Sequence, residues 1–78
     1  MTITLYSKPA CHLCDAALLD LDALRTRYPH TLEVVDITSD PLLLKQYGEK
    51  IPVVKIGRRE YGAPLTREIL ERALADAD

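Results

Sequence analysis

The 78-residue sequence contains no tryptophan and no phenylalanine, so any core that it forms must be built mainly from aliphatic side chains. It also has no apolar run that approaches the roughly 20 residues needed to span a membrane. No charged leader with an apolar stretch, the pattern of a secretory signal, precedes the first strand-like residues. We therefore expect a cytoplasmic protein without a membrane partner.

Basic clusters are also missing from the sequence. Ten lysines and arginines are scattered among twelve aspartates and glutamates, which gives a formal net charge of −2. Nucleic-acid-binding domains usually carry a basic patch or stripe, so nucleic acid is not an expected partner. The length allows a single domain over residues 1–78. A domain this small buries only about 60% of its unfolded surface, so its core depends on regular packing.

Cysteine is scarce, because Cys11 and Cys14 are the only two in the chain. A disulfide across so short a loop would stabilise the fold little, so the pair is not a structural framework. Alternation of apolar Ile3 and Leu5 with polar residues predicts a strand before the pair, and periodic apolar residues after it predict a helix. The cysteines are therefore expected at a strand-to-helix turn, where free helix N–H groups favour a thiolate.

This position predicts an attacking thiol and a resolving thiol. Cysteines at helix starts in Cys-x-x-Cys motifs have pKa values lowered from about 8.5 to roughly 3.5–7.5. Cys11 should lie at the helix end, and Cys14, one turn further in, should be more buried. Cys11 would open a substrate disulfide, and Cys14 would then release the mixed disulfide. Lys8 and His12 would add positive charge near Cys11, and Asp15 would oppose them.

Two other interpretations of the cysteines remain open from the residues alone. A structural zinc site takes four protein ligands, and the chain adds only His12, between the cysteines, and His30, far along the sequence. The cysteines could also be inert. A Cys-x-x-Cys motif beside a strand–helix–strand pattern favours redox chemistry over both alternatives. His30 follows Pro29 in a predicted loop and is expected to be solvent-exposed.

The rest of the chain alternates helices and strands. Apolar residues recur at three- and four-residue spacing over residues 12–28 and predict an amphipathic helix that Pro29 ends. Asp40 and Pro41 predict the start of a second helix, and Gly48 predicts its end in a left-handed conformation. The apolar stripe of the first helix comprises Leu13, Ala17, Leu21, Leu24 and Tyr28, widened by Ala16 and Leu18.

Three further strands and a last helix complete the predicted order. The strands cover residues 32–37, 52–56 and 59–61, and the helix begins near Leu65 with Thr66 as a candidate cap. The order β-α-β-α-β-β-α fits an α/β fold with a four-stranded mixed sheet and helices on both faces.

The order of these motifs resembles that of glutaredoxin-like proteins in the thioredoxin-fold superfamily. The similarity spans nearly the whole chain. It rests on the segment of residues 5–14, on Tyr47-Gly48 before the Ile-Pro-Val-Val segment of residues 51–54, and on Gly62 before the last helix. The resemblance implies a glutaredoxin-like thioredoxin fold.

The resemblance also implies roles for the candidate site residues. Cys11 corresponds to the nucleophile and Cys14 to the resolving cysteine. Lys8 corresponds to a lysine that helps to hold a carboxylate of glutathione. Pro52 corresponds to a cis-proline that faces the cysteines, and the backbone of Ile51 before it would pair with a bound peptide or glutathione.

The chain departs from the usual glutaredoxin pattern at three places near this site. Lys50 and Ile51 precede Pro52, where glutaredoxins usually have Thr-Val. His12 and Leu13 lie between the cysteines, where His12 would modulate the Cys11 thiolate and stabilise the reduced form. After Gly62, residues 63–66 read Ala-Pro-Leu-Thr, in place of a second glycine and the acidic or hydroxyl residues that grip the amino-acid end of glutathione.

The activity that the resemblance implies is that of a thiol–disulfide oxidoreductase, reducing protein disulfides or glutathione mixed disulfides. It would act as a monomer without a bound cofactor, on electrons from glutathione or from a reductase. The alternatives are a module that binds a metal or an iron–sulfur cluster through its thiolates, and a redox sensor that does not turn over.

Overall fold

The computed structural model describes residues 1–77, and its order of helices and strands is the predicted one. The elements are β1 (Thr2–Ser7), α1 (His12–Ala23), β2 (Thr31–Asp36), a 3-10 turn (Ile37–Ser39), α2 (Pro41–Tyr47), β3 (Val53–Ile56), β4 (Arg59–Gly62) and α3 (Arg67–Ala75). Within the described residues, no helix has the length and apolar character that crossing a membrane would require.

The four strands form one mixed sheet in the order β2-β1-β3-β4. β1 pairs with β2 in parallel, while β1 with β3 and β3 with β4 are antiparallel. Gly57, with a φ of 62°, makes the tight turn between β3 and β4, a conformation that glycine adopts without steric cost. The mixed four-stranded sheet agrees with the sequence prediction.

The core lies on both faces of the sheet. A larger aliphatic cluster combines sheet residues such as Leu5 and Val54 with Leu21 of α1 and Leu70 of α3. A smaller cluster on α2 and the sheet includes Tyr47, with partly buried Tyr6 packed against it. Successive strand residues point to opposite faces of a sheet. Because Leu5 belongs to the larger cluster and Tyr6 packs on the smaller one, the two clusters lie on opposite faces. Helices on both faces are thereby confirmed.

The first helix is shorter than predicted. It ends at Ala23, and the chain then turns, with the Tyr28 N–H donating to the Leu24 carbonyl at 2.9 Å. Leu24 is still buried, so the spacing of apolar residues in the sequence continues past the end of the helix. Residues 25–27 are exposed. Helical stability in proteins comes mostly from packing of an apolar face, and these residues have no such packing.

The buried stripe of α1 is also narrower than predicted. It consists of Cys14, Ala17 and Leu21, whereas Leu13 is 66% exposed and Leu18 is 37% exposed. The sheet and α3 cover only one narrow face of the helix, so apolar residues next to that face, such as Leu13 and Leu18, remain exposed.

The prediction for Gly48 was wrong. Its φ of −48° and ψ of −39° are right-handed, so the residue does not end α2 in a left-handed conformation. A Cβ at this position would lie 2.5 Å from the carbonyl oxygen of Leu44, closer than side-chain atoms approach. Glycine is required here by the close approach of the backbone.

The second strand ends one residue earlier than predicted, at Asp36. Its carboxylate accepts from the Thr38 N–H at 2.9 Å and begins the 3-10 turn in which Ile37 is fully buried. The hydrogen bonds from the Thr38 side chain and backbone lower the pKa of Asp36 below its ordinary value. The apolar character of Ile37 therefore reflected burial in a turn and not in a strand.

His30 is buried, which corrects the prediction that it is solvent-exposed. Its side chain is 9% exposed, and Nδ1 lies 2.7 Å from the carbonyl oxygen of Tyr28. Because a carbonyl only accepts, this contact requires the proton on Nδ1. Nε2 is buried without a hydrogen-bond partner among residues 1–77. The burial arises from tertiary packing of the loop, for which the local sequence carries no signal.

A stacked tyrosine pair joins α2 to the sheet. The rings of Tyr6 and Tyr47 are stacked with centroids 4.3 Å apart, and the Tyr47 hydroxyl donates to the Glu60 carboxylate at 2.6 Å. This hydrogen bond, with a smaller effect of burial, raises the pKa of Tyr47 above its ordinary value. Tyr6 therefore packs between the sheet and α2.

Replacing Tyr47 by Phe should keep the ring stack and remove the hydrogen bonds of the hydroxyl, the one to Glu60 and a longer one that it accepts from Gln46 Nε2 at 3.3 Å. We expect the free energy of unfolding to fall by about 1.5 kcal/mol, the lower end of the range for a hydrogen bond to a charged group. Because the folded state raises this pKa, the contribution is complete below the unfolded value of 10.0 and is lost as the pH rises beyond it. The difference between the wild type and Tyr47→Phe should therefore narrow at alkaline pH.

Urea unfolding at neutral and at alkaline pH measures this difference. Tyr28→Phe is the matched control, since the Tyr28 hydroxyl has no hydrogen bond within residues 1–77 and its ring is likewise in contact with the core. A Tyr47→Phe penalty that stays constant across this pH range would contradict the assigned hydrogen bond.

Candidate active site

The two cysteines lie at the junction of β1 and α1. A turn at Pro9 and Ala10 precedes them, with Ala10 in the left-handed region at a φ of 60°, which only glycine visits routinely. Cys11 then has extended backbone and is the N-cap of α1. Its Sγ accepts from the Cys14 N–H at 3.2 Å, and its carbonyl accepts from the Asp15 N–H at 3.0 Å. The sulfur of Cys11 thus caps the helix, as the sequence predicts.

Cys11 and Cys14 form a disulfide in the structure, with their Cα atoms 5.2 Å apart. This separation lies within the usual range of about 4.4–6.8 Å for disulfides. Cys14 is only 1% exposed, whereas Cys11 is partly accessible. The burial order is the predicted one, with Cys14 the more buried of the two.

Lys8, His12 and Asp15 lie close to Cys11 in the sequence. Lys8 and His12 are exposed on either side of it, and Asp15 is exposed in the first turn of α1. None of the ion pairs among residues 1–77 includes Lys8 or Asp15. Lys8 is exposed, and its role in binding a ligand carboxylate stays a prediction.

The structure also bears on the predicted site residues after α2. The bond between Ile51 and Pro52 is cis, as the resemblance implies. Pro52 is buried and contributes to a groove with Leu13, the residue directly before Cys14. Ile51 is partly buried against the smaller cluster. The predicted pairing of its backbone with a substrate remains a prediction.

The groove itself is a feature that the sequence analysis missed. It has a volume of about 440 Å³ and opens to solvent, and its lining is almost entirely apolar. The lining residues are Leu13 and Ala16 of α1, Pro52, and residues 63–66. A second cis bond, between Ala63 and Pro64, lies in its wall. The departure of residues 63–66 from the glutaredoxin pattern was the only sequence signal for this groove.

The described residues contain no cluster of potential metal ligands. Among residues 1–77 there is no group of three or more histidine, cysteine, aspartate or glutamate side chains placed to hold an ion.

Comparison with known proteins links this arrangement to a family. Residues 2–76 match the family described as "Glutaredoxin-like domain (DUF836)". A structural-genomics target protein from X. campestris, solved by X-ray crystallography, is 32% identical with a TM-score of 0.85. That comparison covers 97% of this chain and 99% of the other. The solution structure of the same target gives 33% identity and a TM-score of 0.82, over 100% and 97% of the two chains.

More distant structures share the fold. Thioredoxin 1 from Thermosipho africanus is 19% identical, with a TM-score of 0.66 over 96% of each chain. At this identity the likeness concerns the fold alone, and it confirms the thioredoxin-type arrangement of the sheet and helices. No curated protein sequence matches the chain significantly.

Proposed function

This chain belongs to the glutaredoxin-like domain family (DUF836), and from that premise we propose that it is a thiol–disulfide oxidoreductase with Cys11 as its nucleophile. One observation carries the proposal most directly. The chain holds two cysteines at disulfide distance at the start of a helix, with one sulfur accessible and the other buried. That asymmetry suits a dithiol that exchanges with an external disulfide.

The reaction proceeds in two exchanges. The Cys11 thiolate attacks one sulfur of the substrate disulfide, whose S–S bond breaks as the second sulfur leaves and takes a proton from water. The Cys14 thiolate then attacks Sγ of Cys11, which releases the remaining substrate sulfur as a thiol. Two electrons pass to the substrate, and the protein ends with the Cys11–Cys14 disulfide seen in the structure.

Each cysteine is placed for its step. The N-cap position gives Cys11 a backbone N–H donor at 3.2 Å, and hydrogen bonds to the charged form of a group favour that form. The partial positive charge of the α1 N-terminus acts in the same direction. Cys14 is buried against the core, so it reacts with the adjacent Cys11 sulfur and is shielded from external thiols.

The surrounding residues act on binding and on reactivity. His12, exposed at the first position of α1, modulates the Cys11 thiolate through its charge. Lys8 meets a carboxylate of glutathione or of a substrate, and Ile51 with Pro52 positions the chain that carries the disulfide. Glutathione or a reductase returns the oxidised protein to the dithiol.

Steady-state reduction of a glutathionylated peptide tests this function. Glutathione and glutathione reductase supply the electrons, and NADPH consumption measures turnover. We expect a rate proportional to the protein concentration. A parallel assay replaces glutathione with thioredoxin reductase and uses a peptide with an internal disulfide. Absence of turnover in both assays, with Cys11 still alkylated readily at neutral pH, would contradict the enzyme and favour a sensing role.

A further inference from the structure

We propose that Tyr47 is a positioning residue, whose side chain holds the loop of residues 48–52 in the place where a polypeptide substrate pairs with Ile51. The inference rests on the proposed function, in which Ile51 and Pro52 position the chain that carries the disulfide. Tyr47 is only 6% exposed, so it acts on the substrate through the loop and not by direct contact.

The loop of residues 48–52 is continuous with the sheet at one end only. At its C-terminal end, Pro52 is buried and leads directly into β3. At its N-terminal end, residues 49 and 50 are exposed. The Lys50 N–H donates to the Tyr47 carbonyl at 2.8 Å, so the position of this end follows that of Tyr47.

The side chain of Tyr47 connects this end of the loop to the sheet. Its ring stacks on Tyr6 with centroids 4.3 Å apart, and Tyr6 lies opposite Val53 in the pairing of β1 with β3. Its hydroxyl donates to the Glu60 carboxylate of β4 at 2.6 Å and accepts from Gln46 Nε2 at 3.3 Å. This one side chain therefore fixes the end of α2, where the loop begins, against β1 and β4.

The apolar cluster on this face of the sheet is small. Among residues 1–77 its buried members are Ile37, Tyr47 and Val53, and Ile51 packs partly buried against them. A hydrogen bond is directional, whereas apolar contact is not. Without the bond to Glu60 the ring can slide on its neighbour, and the backbone of Ile51 moves with it. A peptide would then meet a displaced donor and acceptor.

Single-turnover oxidation of the reduced protein tests the proposal with two disulfides. One is a peptide with an internal disulfide, and the other is bis(2-hydroxyethyl) disulfide, which has no peptide backbone to pair with Ile51. In Tyr47→Phe we expect the half-saturating peptide concentration to rise about tenfold, within what a small misplacement far from the chemistry can cost. The limiting rate should change by less than about twofold, because a loss of uniform binding leaves the chemical step intact.

The small disulfide supplies the readout that a general structural defect would not spare. Its rate constant with Tyr47→Phe should stay within about twofold of the wild-type value, because its reaction uses the cysteines without the loop. Samples quenched with acid at successive times and analysed by mass spectrometry give the oxidised fraction for both disulfides.

Glu60 and Tyr28 provide the matched variants. Glutamine keeps an acceptor oxygen for the Tyr47 hydroxyl, so Glu60→Gln should raise the half-saturating concentration by no more than about threefold. Glu60→Ala should reproduce the tenfold rise, and adding Tyr47→Phe to it should raise the value no further, because both changes remove one shared interaction. Tyr28→Phe removes a hydroxyl beside the larger cluster and should leave the reaction with both disulfides unchanged.

The outcomes separate this role from the proposed function. An unchanged half-saturating concentration in Tyr47→Phe and Glu60→Ala would overturn the positioning role and leave the oxidoreductase function intact. Equal slowing with both disulfides would also overturn it, since the defect would then lie at the cysteines. No oxidation of the reduced wild type by either disulfide would overturn the proposed function, and the role of Tyr47 with it.

Discussion

Cys11→Ser is expected to lower the rate of disulfide reduction by about a thousandfold or more, because a serine hydroxyl at neutral pH cannot replace a thiolate nucleophile. The change keeps the N-cap, since serine is a preferred N-cap residue. Folding should therefore survive, and circular dichroism of the variant should match that of the reduced wild type. The measurement is the steady-state rate with a peptide that contains an internal disulfide.

The Cys14→Ser variant distinguishes the roles of the two thiols. Cys14→Ser should abolish reduction of the internal disulfide, because no thiol remains to release the mixed disulfide. With a glutathionylated peptide and excess glutathione, Cys14→Ser should retain activity, since glutathione can attack the Cys11 mixed disulfide in its place. Retention of full dithiol activity in Cys11→Ser would contradict the assignment of the nucleophile.

The second large effect concerns stability. Leu21→Ala should lower the free energy of unfolding by about 3 kcal/mol, within the roughly 2–5 kcal/mol found for buried leucines. Leu21 is fully buried in the cluster between α1, α3 and the sheet. A chain of this size has a total stability of only about 4–12 kcal/mol, so the variant loses a large part of it.

Denaturant unfolding of the oxidised protein measures this effect. Leu19→Ala is the control on the same helix, and at 70% exposure it should change the stability by no more than about 0.5 kcal/mol. Equal losses in Leu21→Ala and Leu19→Ala would contradict the packing of α1 described above.

The element order could be predicted because its signals are local. Asp40 accepts from the Leu42 N–H at 2.9 Å, and Pro41 opens α2 directly after it. Thr66 caps α3 in the same way, through Ile69. Such capping contacts join residues two or three positions apart, so the amino-acid types alone indicate them.

The errors arose where tertiary packing overrides local pattern. His30 has a loop sequence but a buried side chain, and Gly48 is fixed by the nearby Leu44 carbonyl and not by its own preference for a left-handed conformation. The spacing of Leu24 continues the helical pattern although α1 has already ended. Each of these three errors concerns a residue whose environment is set by residues outside its local sequence pattern.

The candidate site likewise has one part that the sequence could indicate and one part that it could not. Cys11 and Cys14 could be recognised because their spacing and their helix start are local features. The groove could not, because Leu13 of α1 and residues 63–66 meet only through the fold. An apolar residue between two cysteines has no pattern that indicates its partner fifty residues away.

The central claim is that Cys11 attacks and Cys14 resolves, and trapping of the mixed disulfide tests it most directly. Reduced Cys14→Ser and Cys11→Ser proteins are each mixed with an internal-disulfide peptide, quenched with acid, and analysed by mass spectrometry. We expect one peptide per chain on Cys14→Ser, attached at Cys11, and no adduct on Cys11→Ser over the same time. An adduct that forms on Cys14 at a comparable rate would contradict the account.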